Sequence, residues 1–208
     1  MINYDIKSEV VDINKYNPTQ RDSFFIDSNV LIWVFSTKHS RGNERHGLYQ
    51  SRVYPAYIHR ALKAGSKLYV CGLSFSEMSH FIEDMEFQHF SLMSPYVKRK
   101  EYRHNYPTER SNIIEEINSA WSAVSLATEM LEINVDRSSV DTSLSLISNS
   151  MLDGYDVFLA AATKTHGIVN ILTDDGDFSS IEGVRLFTAN YGVLRAAEKQ
   201  GKLASDNN

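Results

Sequence analysis

The chain has 208 residues, a formal net charge of -5, a single cysteine and 42% hydrophobic residues. That length suits one well-filled core, no apolar run approaches the ~18 to 20 residues of a membrane helix, and one cysteine excludes both an internal disulfide and a cysteine-rich zinc site. The acidic balance argues against nucleic-acid binding by bulk electrostatics alone while leaving room for a local basic groove, and any metal must be held by oxygen or histidine ligands.

The opening segment, MINYDIKSEVVDINKY, lacks the charged start, apolar stretch and cleavage site of an export signal, so the expected location is the cytoplasm. Within it Val10-Val11-Asp12-Ile13 predicts an edge strand, leaving residues 1–22 as an N-terminal extension. Short apolar runs at 23–26 (SFFI), 67–71 (KLYVC), 131–135 (LEINV), 168–172 (IVNIL) and 184–188 (VRLFT) read as buried strands. Between them, Ile113, Ile114, Ile117, Ala120, Trp121, Val124, Ala127 and Met130 recur at helical spacing. Strands alternating with helices imply an α/β fold, a three-layer sandwich around a parallel sheet of about five strands. The last residues, 199–208, lack apolar anchors beyond Leu203 and are expected to fray.

Ligands of an open parallel sheet bind beyond the carboxyl ends of its strands. Asp27 follows the first strand, Glu77 lies within six residues of Cys71, Asp153 and Asp156 open a helix, and Asp174 and Asp175 follow the fourth strand. Carboxylates gathered on one rim repel unless protons or cations intervene. Hard cations such as Mg²⁺ or Mn²⁺ are their natural partners, and the matching chemistry is hydrolysis of a phosphate ester. Each acid also has a purely local use. Asp27 or Asn29 could cap a helix starting near Val30, Ser74-x-x-Glu77 is a capping-box pattern, Asp156 suits a helix first turn, Asp153 suits a cap, and Asp174-Asp175-Gly176 suits a turn. Their joint appearance favours the metal reading.

FIDSNVLI, LSFSEM, GYDVFLAAAT and ILTDDGDF occur in that order over residues 24–178, and in these four motifs the chain resembles the PIN-domain family, the fold of VapC-type toxin ribonucleases. The resemblance implies an acidic metal site, RNA as substrate, and a ligand set of Asp27, Glu77, Asp156 and one of Asp174 and Asp175, which the sequence does not separate. Asn29 and Thr173 fall at positions that support the acids by hydrogen bonding. It also implies a homodimer and an antitoxin protein as partner, while the lack of a long apolar run implies no membrane association. The expected domain plan is one PIN-like domain over 1–208.

About eighty residues separate Glu77 from Asp156, and an enlarged helical insertion at 85–131 fills much of that span. It contains YVKRKEYRHNY, where Lys98, Arg99, Lys100 and Arg103 alternate with tyrosines that could stack on bases; a solvated charged loop is the simpler alternative. No histidine pair, including His39 and His46, has metal spacing. Cys71 reads as core. A haloacid-dehalogenase-like phosphatase would need an aspartate where Asn29 stands. Two functions remain: a metal-dependent endoribonuclease acting on single-stranded or structured RNA, as the toxin of a type II toxin-antitoxin pair, or an inactive PIN scaffold that binds RNA or protein.

Overall fold

The computed structural model describes residues 2–36 and 45–205; His39 lies outside them, as does the end of the tail from residue 206. In chain order the elements are β1 (Glu9–Asp12), β2 (Ser23–Ile26), α1 (Ser28–Phe35), α2 (Arg45–Ala64), β3 (Lys67–Cys71), α3 (Gly72–Met93), α4 (Arg99–Asn105), α5 (Pro107–Ala127), β4 (Glu129–Leu131), α6 (Arg137–Asn149), α7 (Asp156–Thr165), β5 (Asn170–Leu172), β6 (Arg185–Thr188) and α8 (Tyr191–Lys199). A 3-10 turn at Asp177–Ser180 joins β5 to β6. The six strands form one sheet in the order β1-β6-β5-β2-β3-β4. Every pairing is parallel.

The central strands are apolar on both faces because both faces are covered. Side chains alternate along a strand, so Phe24 and Ile26 enter a core with Tyr54, Tyr57, Ala120 and Val124. Phe25 points the other way, into a cluster with Cys71, Leu159 and Ile168. Phe24 and Phe187 meet edge to face at 4.9 Å between centroids, and Ile171 and Leu186 face Val157, Ala160 and Val193. Cys71 is fully buried.

Four details depart from the sequence reading. β4 spans Glu129–Leu131 rather than 131–135, because its ladder runs against Tyr69–Cys71 and β3 ends at Cys71, where α3 begins. α5 stops at Ala127 and the chain turns extended at Thr128, so Met130 is an exposed strand residue, not the end of a helical stripe. Ile114 also faces outward, whereas Ile113, Ala120 and Val124 are buried. The tail is anchored at its start: Val10 donates to Lys202 O at 2.9 Å, Ala204 donates to Val10 O at 2.7 Å, and Leu203 forms a bridge with Val10. The segment Glu9–Asp12 takes the edge position beside β6, and residues 85–131 supply the second half of α3, then α4, α5 and β4.

Candidate active site

From β2 the chain moves outward to β3 and β4, and from β5 it moves the opposite way to β6. β2 and β5 therefore flank the point where the strand order reverses, and a crevice opens beyond their carboxyl ends. The register sets Ile26 beside Leu172, so the next residues, Asp27 and Thr173, emerge side by side.

Asp27 is 2% exposed. It caps α1, accepting from Ser28 N at 2.7 Å. Its other oxygen accepts from Thr173 Oγ1 at 2.5 Å and from Asn29 Nδ2 at 2.7 Å. Asn29 ties the strand ends together, donating to Thr173 Oγ1 at 3.1 Å and accepting from Asp174 N at 3.1 Å. The supporting positions assigned to Asn29 and Thr173 are thus occupied by bonds to Asp27. The cap and the clustered acid are one residue.

Asp174 and Asp175 part company. The Asp174 carboxylate accepts from Tyr54 OH at 2.8 Å and from Gln50 Nε2 at 3.1 Å, both on α2. Its carbonyl accepts from Asn190 Nδ2 at 2.8 Å. Asp175 N donates to Thr173 Oγ1 at 2.8 Å, and its carboxylate accepts from Asp177 N at 2.8 Å. The charge of Asp175 acts on both Asp27 and Asp156. Asp175 therefore faces the other acids.

Asp156 is the first residue of α7 and stands within electrostatic reach of Asp27, Glu77, Asp175 and Asp153. Burial, with that repulsion added, raises its pKa to about 8. Burial also lifts Asp27, to about 7, against the opposing hydrogen bond from Thr173. Glu77, in the second turn of α3, is raised by burial and held down by a hydrogen bond from Ser28. Its Oε2 is buried with no partner. The expected Ser74-x-x-Glu77 capping box is not formed: the box closes between Cys71 and Ser74, and Glu77 takes no part in it. Asp153 does not cap α7 through its side chain either. Tyr155 holds the cap position, and Asp153 contributes its carbonyl, which accepts from Asp156 N at 2.9 Å.

The four acids approach closely enough to disturb one another, yet among the described residues no three acid, histidine or cysteine side chains are near enough to hold a metal ion as they stand. An orphaned Glu77 oxygen and two carboxyls with raised pKa fit a divalent cation, which would supply the missing partner.

The basic tract is built otherwise than a phosphate groove. Arg99 pairs with Asp84 and Arg103 with Glu83, while Arg110 reaches Glu83 at 3.2 Å. Tyr102 is buried against Phe87 and Phe90, and Tyr106 packs on Phe90. Tyr96, Lys98 and Lys100 are exposed. Two of the four named cations and two of the three tyrosines thus fasten α4 to α3. Glu83 lies six residues beyond Glu77, roughly 9 Å along the helix axis.

Gln50, Tyr54, Ser28 and Asn190 were not singled out by the sequence. A glutamine one turn before a tyrosine on the buried side of a helix was the available signal for the first two.

The PIN domain family matches residues 24–184 of the chain. No curated protein matches the sequence. Among solved structures the chain is similar to the one described as the crystal structure of VapBC2 from Rickettsia felis bound to a DNA fragment from their promoter. That likeness has a TM-score of 0.48 and 10% identity, and covers 80% of this chain and 98% of the other.

Proposed function

Because the chain belongs to the PIN-domain family, we propose that it is a metal-dependent endoribonuclease whose cation is held by Asp27, Glu77, Asp156 and Asp175. The observation that carries this reading is the convergence of carboxylates from four separate segments, with Asp27 almost fully buried and Glu77 Oε2 unpartnered. A bound Mg²⁺ or Mn²⁺ would neutralise the reacting phosphate and lower the pKa of a water for in-line attack. Asn29 and Thr173 fix the Asp27 carboxylate. Asp27 and Asp156 would hold the cation only as ionised groups, so its binding would release the protons they carry. Asp174 anchors the β5 end to α2 and is not a ligand. Cleavage releases the 3′ oxygen and leaves a 5′-phosphate.

In this reading one PIN-like domain spans 1–208, with residues 1–22 added in front and 85–131 inserted. The motif resemblance extends the proposal to a cytoplasmic homodimeric toxin of a type II pair, restrained by an antitoxin protein. Among the described residues no helix is long and apolar enough to cross a membrane. Lys98 and Lys100, exposed cations of the insertion, suit phosphate contact.

The spacing of the acids beyond ligating distance favours a second reading, a scaffold that binds RNA or protein without cutting it. Incubating the full chain with 5′-labelled single-stranded RNA and Mn²⁺ separates the two. The nuclease reading predicts cleavage that excess chelator abolishes and that Asp27→Asn reduces by about a hundredfold or more, the usual size of a lost charge-stabilising group. Intact RNA with wild-type protein, or equal cleavage by both proteins, would leave only the scaffold.

A further inference from the structure

The N-terminal segment reaches the acid rim from behind. Residues 7 and 8 donate to Ser179 O at 2.8 and 3.0 Å, on the turn that follows Asp175. Tyr4 O accepts from Gln200 Nε2 at 2.8 Å, and Ile6 N donates to Gln200 Oε1 at 3.0 Å. These bonds place the Tyr4 ring directly on Gly176, the residue between Asp175 and Asp177. A Cβ built on Gly176 would lie 2.2 Å from Tyr4 Cε1 and 2.5 Å from its Cζ. Across the ring, a Cβ on Gly192 would lie 3.4 Å from Cε2. Gly176 has φ of -73°, a value any residue adopts, so the ring and not the backbone demands glycine there.

We propose that Tyr4 is a positioning residue for the acid site: its ring occupies the space of a side chain at Gly176 and holds the Thr173–Asp177 turn so that Asp175 faces Asp27 and Asp156. The inference rests on the reading of Asp175 as a metal ligand. Asp174 is fastened to α2 on one side of the turn, and Tyr4 closes the other, which leaves the chain between them one way to present Asp175. The setting is not that of an ordinary core tyrosine. Tyr4 is half-buried, and that burial, with the charges of Asp175, Asp177 and Asp174 added, keeps its phenol protonated.

The test is a Mn²⁺ titration by calorimetry on the full chain, with thermal melts in chelator as the measure of folding. Tyr4→Ala should weaken Mn²⁺ binding about tenfold, the lower end of what lost support of a ligand costs, and Tyr4→Phe, which keeps the ring, should stay within about twofold of wild type on the same scale. Gly176→Ala should weaken binding when Tyr4 is present and add nothing to Tyr4→Ala, because the two changes disturb one contact. A purely structural Tyr4 would lower the melting temperature without altering affinity, and that result overturns the proposal. So does Gly176→Ala being equally harmful with and without Tyr4. If wild-type protein binds no Mn²⁺ at all, the metal site itself is refuted and the role of Tyr4 falls with it.

Discussion

At Asp27 a helix cap and a buried charge are the same carboxylate. Capping is worth about 1 kcal/mol, but burial works against the ionised form and brings the pKa to about 7. Asparagine caps as well as aspartate, but its amide would turn a donor toward Asn29 Nδ2 and Thr173 Oγ1, which both donate to the carboxylate, so Asp27→Asn should lower the melting temperature of the metal-free protein as well as its activity. The pH dependence has a definite sign. Asp27 and Asp156, at about 7 and about 8 when folded, hold protons that the unfolded chain has lost, since free aspartate titrates near 4. Their contribution to stability is complete below about pH 4 and disappears as pH rises through about 8. Thermal melts in chelator should therefore show a falling melting temperature from about pH 5 to about pH 8, with a flatter profile for Asp27→Asn.

At the scale of elements, α2 and β5 divide the consecutive acids between them. Tyr54 is fully buried, and its hydroxyl donates to Asp174 while accepting from Ala189 N at 3.1 Å. Asp174→Asn should accordingly keep Mn²⁺ affinity, whereas Asp175→Asn should lose it; calorimetry on the pair decides which is the ligand. The insertion answers to packing. Glu83 is 8% exposed and is shared by Arg103 and Arg110, so Arg103→Ala should cost about 1 kcal/mol in urea denaturation, because the arginine itself is well exposed. The KM for RNA should not change. An elevated KM in a stable Arg103→Ala protein would restore the tract to a role in substrate binding.

At the scale of the whole molecule, the strand runs and the acids after them were legible because burial on both faces writes continuous apolar stretches and because the motifs stand at strand ends. What sequence could not supply was direction. Asp174 and Asp175 are equivalent on paper, and only α2, arriving with Gln50 and Tyr54, turns one of them away. Glu77 reads as part of a capping box until Cys71 is seen to close that box with Ser74. α6 buries Ser143 and exposes Val140, Leu144 and Ile147, so its apolar stripe is not its inward face. Tyr4 lies more than 170 residues from Gly176, and no local pattern joins them. The central claim, that the sheet order brings four carboxylates together to hold one cation site, is tested most directly by titrating Mn²⁺ calorimetrically in buffers of different ionisation heat near pH 7. The account predicts binding accompanied by proton release, because Asp27 and Asp156 are partly protonated there, and loss of that binding in Asp27→Asn. Absence of binding heat, or undiminished binding by Asp27→Asn, would contradict it.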